Sequence, residues 1–286
     1  MKVKTAIGRF ETQLRADGKS AHTRSAYLRD VRALASSMGD GIDIAKITPA
    51  AVARYFASDE IKKKEAISVN RMKTSIRAFF RYLNESRYLK ADPSRLIRAG
   101  RCQRKIPVAL SDSEAHRFLK TVSASEDINA ERDHVMIALL LGTGMRLGSL
   151  ANLDVGSIDF AGGIIRTNGK GNTEEAIYIQ PRLKRLLRSY IRSRGLAVAS
   201  PLFCNCRGDR LGMRTIQQRV SFWLREAGID NGASVHTLRH TFATRLYEKT
   251  RDLYLVQKAL GHRQITTTEI YTKVSDSSLR RAVNLL

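Results

Sequence analysis

A short stretch without apolar periodicity divides this chain and constrains its fold more than any other feature. Residues 98–110 read RAGRCQRKIPVAL, with four basic side chains and a proline, and they follow Pro93, where a helical pattern ends. Loss of the period beside a proline marks a boundary between structural segments. Because 286 residues suffice for one large or two ordinary domains, the sequence predicts two. They are residues 1–98 and 110–286, joined by a basic linker at 99–109.

The first segment, residues 1–98, has the apolar spacing of a helical bundle. One helix is predicted after Ser20, and another at Thr48, a capping residue that precedes Pro49. The clearest helix is predicted after Ser68, where apolar residues recur along one face. Its other side carries a basic row formed by Lys73, Arg77 and Arg81. This row is either a solvated face or a face that contacts phosphates.

The second segment predicts a mainly α domain with a small antiparallel β-sheet. Ser111 and Glu114 have the spacing of a capping box at a helix start. Residues 132–153 predict a buried helix, a Gly-Thr-Gly break and a second helix that begins near Arg146. Two β-branched runs flank NGKGNTE and predict a hairpin with Lys170 in its turn. Further helices are predicted around residues 181–194, 213–227, 237–248 and 252–260.

Basic residues exceed acidic residues along the whole chain. The 50 Lys and Arg against 27 Asp and Glu give a formal net charge of +23, which favours a polyanionic partner. Nucleic acid is the first candidate, and an anionic membrane surface is the second. Residues 1–98 carry a net charge of +11 and residues 99–286 a net charge of +12, so both parts are expected to contact the partner. The candidate DNA contacts are Lys73, Arg77 and Arg81 in the basic row, and Arg101, Arg104 and Lys105 in the linker.

The sequence indicates neither a membrane span nor a metal site. Its longest apolar run, VMIALLL at 135–141, is far too short to cross a bilayer, and the amino terminus has no apolar signal core. We therefore expect a soluble cytoplasmic protein without a membrane partner. Cys204 and Cys206 form a lone C-x-C with no second pair, so we expect no metal.

Several side chains of the second segment together meet the needs of phosphodiester transesterification without a metal. Two guanidinium groups can hold a doubly charged pentacoordinate phosphorus through paired hydrogen bonds, and Arg146 and Arg239 suit that task. A lysine can give the leaving 5′ oxygen its proton, and an imidazole can assist proton movement. The candidates for these roles are Lys170, His236 and His262. Nearby cations would favour a phenolate nucleophile, for which Tyr271 is the candidate.

The order of the short motifs resembles the tyrosine recombinase family, also called the phage integrase family. HTLRH at 236–240, LGH at 260–262 and IYTK at 270–273 resemble its signature. GTGMRL at 142–147 resembles the family's first arginine box, and NGKGN at 168–172 resembles its hairpin lysine. The resemblance extends over nearly the whole chain and is greatest to Xer-type and short mobile-element recombinases. It implies an N-terminal helical core-binding domain, a C-terminal catalytic domain and no cofactor.

Position by position, the resemblance implies roles for six residues. Tyr271 is the nucleophile, Arg146 and Arg239 clamp the phosphate, Lys170 is the general acid, and His236 and His262 are supporting histidines. One departure concerns the first arginine box, which commonly reads R-I-S-E-L in relatives and here reads RLGSL, with Gly148 and Ser149. Carboxylate support for the phosphate clamp is therefore absent at that position.

Three further polar residues lie beside these motifs. His240 adjoins Arg239 but lies on another helical face from His236, so a structural role is favoured over a catalytic one. Glu174 and Glu175 follow the hairpin turn, and they either orient Lys170 or are simply solvated.

The resemblance implies a site-specific DNA recombinase that cleaves and rejoins strands through a 3′-phosphotyrosine intermediate, independently of metal and ATP. Its expected partners are double-stranded DNA with paired recombinase-binding sites and further copies of the chain, a dimer per site and a tetramer in the synapse. A related recombinase subunit is a further candidate partner, and the expected location is the nucleoid. The alternatives are a type IB topoisomerase-like DNA relaxer and a noncatalytic DNA-binding regulator on the same fold. The segment SDSSLRRAVNLL at 275–286 predicts a short C-terminal helix, packed on its own domain or exchanged with a neighbour.

Overall fold

The computed structural model describes residues 1–39, 41–100, 109–168, 174–230 and 232–261. The chain divides into two compact units, Met1–Arg104 and Lys105–Leu286, and the division falls within the segment that the sequence marks as a linker. Each unit has its own cluster of buried apolar side chains. The linker candidates for DNA contact, Arg101, Arg104 and Lys105, lie outside the described residues.

The first unit is a bundle of helices. They are α1 Val3–Ala16, α2 Ala21–Met38, α3 Pro49–Phe56, α4 Asp59–Lys62 and α5 Ala66–Glu85. The start predicted after Ser20 is confirmed, and the Ser20 side chain accepts a hydrogen bond from the Thr23 N–H at 3.2 Å. The start at Pro49 is confirmed too, with Thr48 accepting from the Ala51 N–H at 3.2 Å.

The start of α5 was predicted wrongly. The sequence favours a start after Ser68, whereas the helix begins at Ala66 with Glu65 as its N-cap. The Glu65 carbonyl accepts hydrogen bonds from the N–H groups of Ser68 at 2.9 Å and Val69 at 3.1 Å, so the backbone is already helical at Ser68. A serine favours the N-cap position through its side chain, but it also continues a helix that neighbouring residues have begun.

Both apolar and charged contacts hold the long helices of the first unit together. Phe10 of α1 and Phe79 of α5 are buried, with ring centroids 5.4 Å apart in an edge-on arrangement. Burying each such side chain contributes about 1.5–3 kcal/mol to folding. Asp30 of α2 is also buried, and it accepts hydrogen bonds from Arg71 and Ser75 of α5. A buried carboxylate that has these partners fixes α2 against α5.

The second unit is mainly helical, and its described residues include one small sheet. Its helices are α6 Asp112–Ser123, α7 Ala130–Thr143, α8 Leu147–Ala151, α9 Pro181–Ser193, α10 Met213–Glu226, α11 Val235–Thr250 and α12 Leu253–Leu260. Ser111 and Glu114 form the predicted capping box at the start of α6. α7 is buried along most of its length, as its sequence predicts. These elements confirm a mainly α fold.

The Gly-Thr-Gly break ends α7 at the predicted place. Gly144 has φ of +62°, and a Cβ atom there would lie 2.4 Å from Cδ1 of Phe242. Glycine is therefore required both for the left-handed backbone and for the close approach of α11. α8 begins at Leu147, and Arg146 is its N-cap residue. The break thus places Arg146 in the turn between a buried helix and the next helix.

The three strands β1 Ile158–Asp159, β2 Ile164–Asn168 and β3 Glu174–Tyr178 form an antiparallel sheet in the order β1-β2-β3. The register pairs Ile165 with Ile177 and Thr167 with Glu175, which confirms the predicted hairpin strands. The residues that join β2 to β3, including Lys170, lie outside the described residues. Within the ranges that the structure describes, no helix is both long and apolar enough for a membrane span.

Candidate active site

Arg146 is held by two elements that are distant in the sequence. Its Nη1 donates to both carboxylate oxygens of Glu175 on β3, at 2.8 and 2.9 Å, and its Nη2 donates to the Gly261 carbonyl at 2.7 Å. Gly261 is the C-cap residue of α12 and has φ of +59°. Carbonyl groups at the end of a helix carry partial negative charge, so a cation binds well there.

Arg239 of α11 reaches the same end of α12. Its Nη2 donates to the Leu260 carbonyl and its Nη1 to the Gly144 carbonyl, each at 2.6 Å. The two guanidinium groups therefore bind the consecutive carbonyls of Leu260 and Gly261. The structure thus brings together the two arginines that the sequence assigns to one phosphate clamp, although 93 positions separate them. Arg239 also links the end of α12 to the Gly-Thr-Gly break beside Arg146.

Two histidines lie on α11 with Arg239. His236 is exposed and lies in the first turn, three positions before Arg239, while His240 is half-buried. Burial, followed by the charges of His236 and Arg239, lowers the pKa of His240 below its ordinary value. This shift favours the neutral imidazole, and the structural role of His240 stays a prediction. Since i and i+3 residues share one side of a helix, His236 lies on the same side of α11 as Arg239.

Three of the predicted catalytic residues lie outside the described residues: Lys170, His262 and Tyr271. The described strands bound the segment that contains Lys170, and Gly261 immediately precedes His262 in the chain. The assignments of these three residues stay predictions. Of the six residues, the structure describes Arg146, His236 and Arg239. The two arginines meet at the end of α12, and His236 lies in the first turn of α11.

For Glu175, the sequence left open whether it orients Lys170 or is solvated, and it did not predict the contact with Arg146 that the structure shows. Its carboxylate binds Arg146, so it is not simply solvated. The pairing with Arg146 depends on the strand register and on a contact across 29 positions, neither of which periodicity reveals. A signal was nevertheless present, because the arginine box lacks its usual carboxylate at Ser149 and an acidic pair follows the hairpin turn.

The candidate DNA contacts on α5 differ in their environments. Arg77 and Arg81 are exposed. Lys73 is only partly exposed, because its Nζ donates to the Arg98 carbonyl at 3.0 Å and lies 5.7 Å from the centroid of the Phe56 ring. Lys73 therefore takes part in holding the end of the first unit, whereas the two arginines present their charge to solvent.

The described residues contain no group of three or more His, Cys, Asp or Glu side chains that could hold a metal ion. Cys204 is partly exposed and Cys206 is exposed, and both are free thiols. The guanidinium groups of Arg146 and Arg239 carry only hydrogen-bond donors, which suit an anion rather than a cation.

Two family models match most of the chain. The phage integrase family matches residues 109–278, and the phage integrase N-terminal SAM-like domain matches residues 7–86. Tyrosine recombinase XerC of Pelobacter propionicus is 34% identical over 263 residues, which cover 90% of this chain and 86% of that protein.

Solved structures of other proteins share the fold. The Tn1549 transposon integrase in complex with transposon right-end DNA has a TM-score of 0.78 at 20% identity, over 100% of this chain and 99% of that chain. A lambda integrase dimer bound to a COC′ core site has a TM-score of 0.76 at 19% identity, over 93% and 97% of the two chains. Likeness at these identities concerns the fold alone. The family model spans more than half of the chain and the XerC relative is 34% identical over 90% of it, so the protein belongs to the phage integrase family, the tyrosine recombinases.

Proposed function

We propose that this protein is a site-specific DNA recombinase that cleaves and rejoins DNA strands through a 3′-phosphotyrosine intermediate, independently of metal and ATP. The observation that carries the proposal is the binding of Arg146 and Arg239 to consecutive carbonyls at the end of α12. Two adjacent guanidinium groups match the nonbridging oxygens of one phosphodiester and stabilise the charge that develops in its transition state.

The reaction balances with this chain's own groups. Tyr271 gives up its phenolic proton to an imidazole or to solvent, its oxygen attacks the phosphorus and forms the phosphotyrosine bond, and the bond to the 5′ oxygen breaks. Lys170 gives the leaving oxygen its proton, while His236 and His262 support proton movement and bind the phosphate. Rejoining is the reverse attack by a 5′ hydroxyl. Because one phosphate ester replaces another, no ATP is needed, and the arginines supply the positive charge that a metal would otherwise provide.

The partner is double-stranded DNA that carries paired binding sites. The net charge of +23 fits a polyanionic partner. DNA is favoured over an anionic membrane surface because the similar proteins are recombinases and integrases. The chain acts as a dimer on each site, as lambda integrase does on its core site, and as a tetramer in the synapse, with itself or with a related recombinase subunit. Its place of action is the nucleoid. A topoisomerase-like relaxer and a noncatalytic regulator are not favoured, because the matching relative is a recombinase and all six reactive positions are filled.

Substitution of the nucleophile tests the proposal. Tyr271→Phe should bind DNA as the wild type does, so it can be used to select the binding site from a pool of random duplexes. A nicked duplex of the selected site lets the cleaved fragment diffuse away and traps the adduct. In EDTA, the wild type should form a covalent protein–DNA adduct and Tyr271→Phe none. An adduct on the variant would refute the tyrosine assignment, and strict dependence of the wild type on a divalent ion would favour a nuclease.

A further inference from the structure

The first arginine box has Ser149 at the position where the family box that it resembles commonly has a carboxylate. Ser149 is buried and lines a cavity of about 310 Å³ together with Arg166 and Thr167 of β2. The Thr167 hydroxyl is buried and has no hydrogen-bond partner among the described residues. Because buried hydroxyl groups normally form hydrogen bonds, the lone Thr167 hydroxyl indicates that none of the described side chains in this cavity reaches it.

The carboxylate that binds Arg146 comes instead from β3. Glu175 is the cross-strand partner of Thr167, so both side chains lie on the same face of the hairpin. Its two oxygens lie 2.8 and 2.9 Å from Nη1 of Arg146, and the two side chains are only 23% and 32% exposed. Partial burial strengthens such a charge-assisted contact relative to the same pair in water.

Glu175 also fits closely against the end of α12. A Cβ atom at Gly261 would lie 2.6 Å from Oε1 of Glu175, and Gly261 has a left-handed backbone at φ +59°. The Gly261 carbonyl accepts a hydrogen bond from Nη2 of Arg146, whose Nη1 binds Glu175. Glu175, Arg146 and Gly261 therefore form one contiguous contact, which the absence of a side chain at position 261 makes possible.

We propose that Glu175 is a positioning residue for Arg146, and that it supplies from β3 the carboxylate that Ser149 leaves absent in the arginine box. A guanidinium has five N–H donors, so Glu175 and the Gly261 carbonyl fix its orientation while further donors remain for a phosphate. Glu175 also offsets the repulsion between Arg146 and Arg239, which converge on the same helix end. This inference rests on the proposed recombinase function.

The test compares single-turnover adduct formation on the nicked, selected duplex at saturating protein. Glu175→Gln keeps the side-chain shape and removes the charge, and it should slow cleavage by roughly 10- to 100-fold, the scale set by misplacement of a reacting group. Binding of the uncleaved duplex should stay within about twofold, because only the transition state depends on the aligned guanidinium. Glu226→Gln removes the same charge from an exposed side chain of α10 and should leave the rate unchanged.

Relocation of the carboxylate gives a second readout that a purely structural role would not produce. Ser149 lies three positions after Arg146 at the start of α8, so residues at the two positions are neighbours on the helix. Ser149→Glu in the Glu175→Gln background should recover most of the lost cleavage rate. Should Ser149→Glu impair folding in a thermal melt, Glu175→Asp provides the rescue instead, with a rate between those of wild type and Glu175→Gln.

The outcomes separate the two proposals. A Glu175→Gln protein that cleaves as fast as wild type would overturn the positioning role. One that cleaves faster would also overturn it, because the carboxylate would then occupy the place of the phosphate and inhibit. If Glu175→Gln is slow and neither Ser149→Glu nor Glu175→Asp gives a faster rate, the carboxylate does not act through Arg146. That result would likewise contradict the inference. A wild type that forms no adduct at all would reject the recombinase function itself.

Discussion

Asp133 shows how single residues stabilise the unit that carries the site. Its carboxylate is fully buried, and it accepts hydrogen bonds from Arg132 at 2.8 and 3.0 Å, from Trp223 Nε1 at 2.8 Å and from Arg219. These contacts join α7 to α10, and the Arg132 Nη1 continues to the Cys204 carbonyl at 3.1 Å. A buried charge is tolerated only with such partners, and removal of one partner leaves the others uncompensated.

Asp133→Asn should therefore destabilise the second unit by roughly 3–5 kcal/mol. The amide has no charge for the almost fully buried Arg132, and its NH₂ group turns a donor toward other donors. Trp223 is the chain's one tryptophan, so its fluorescence during urea unfolding reports on this unit directly. Glu226→Gln on the same α10, where the side chain is exposed, is the matched control and should change stability by less than about 0.5 kcal/mol. A similar small effect of Asp133→Asn would contradict the role of the cluster.

At the scale of elements, the basic row of α5 separates into two kinds of residue. Arg77 and Arg81 are exposed, whereas Lys73 is occupied by the Arg98 carbonyl and the Phe56 ring. If the arginines contact phosphates, each lost contact reduces the dependence of log K on log salt concentration by roughly 0.9. Arg77→Ala with Arg81→Ala should then reduce the slope by about 2, measured as duplex Kd over a series of salt concentrations.

Lys73→Ala is the matched control for that measurement. It removes the same charge from the same helix, but the lysine is engaged in the fold, so the slope should change by less than about 0.5. An unchanged slope in the arginine double variant would identify the row as a solvated face. A slope change for Lys73→Ala as large as that for each arginine would show that its charge also reaches the DNA.

Local sequence patterns predict the helices and strands, but they do not predict which residues of different elements contact each other. The capping box at Ser111, the break at Gly144 and the hairpin strands follow from residue types within a few positions, and the structure confirms them. The exact start of α5 could not be fixed, because Ser68 is compatible with both a cap and a helix interior. The Glu175 contact to Arg146 needs the fold of the whole unit, since the register and a neighbouring helix end create it.

At the scale of the whole molecule, the two parts of the chain on either side of residue 98 carry similar excess positive charge, +11 for residues 1–98 and +12 for residues 99–286. Each unit also has its own buried apolar core. A polyanion can therefore gain binding free energy from both units, and counterion release from each adds to the affinity. The proposed strand exchange would demand more than affinity, because a tetramer would have to use its active sites in pairs.

We expect the C-terminal segment at 275–286 to couple the active sites of neighbouring subunits. This segment lies outside the described residues. Leu279, Ala282, Val283 and Leu286 recur at i, i+3, i+4 and i+7, which predicts one apolar stripe on a helix too short to be stable alone. The predicted helix would therefore need a surface on which to dock. The family resemblance implies docking on a neighbouring subunit, and packing on its own unit is the alternative.

Truncation after Asp276 tests which surface receives the helix. We expect nearly unchanged affinity for a duplex with one binding site, because the phosphate-contacting residues remain. Cooperative binding to a duplex with two sites and strand exchange should be lost, because each subunit would lack the segment that connects it to the next. Gel-shift titrations on the two duplexes measure both quantities, and Leu279→Ala with Val283→Ala provides a milder disruption of the stripe. Tyr271 precedes the predicted helix by only a few residues. If the helix docks on a neighbouring subunit, the position of each Tyr271 would depend on the arrangement of that subunit. Equal cooperativity in the truncated and full-length proteins would place the helix on its own unit.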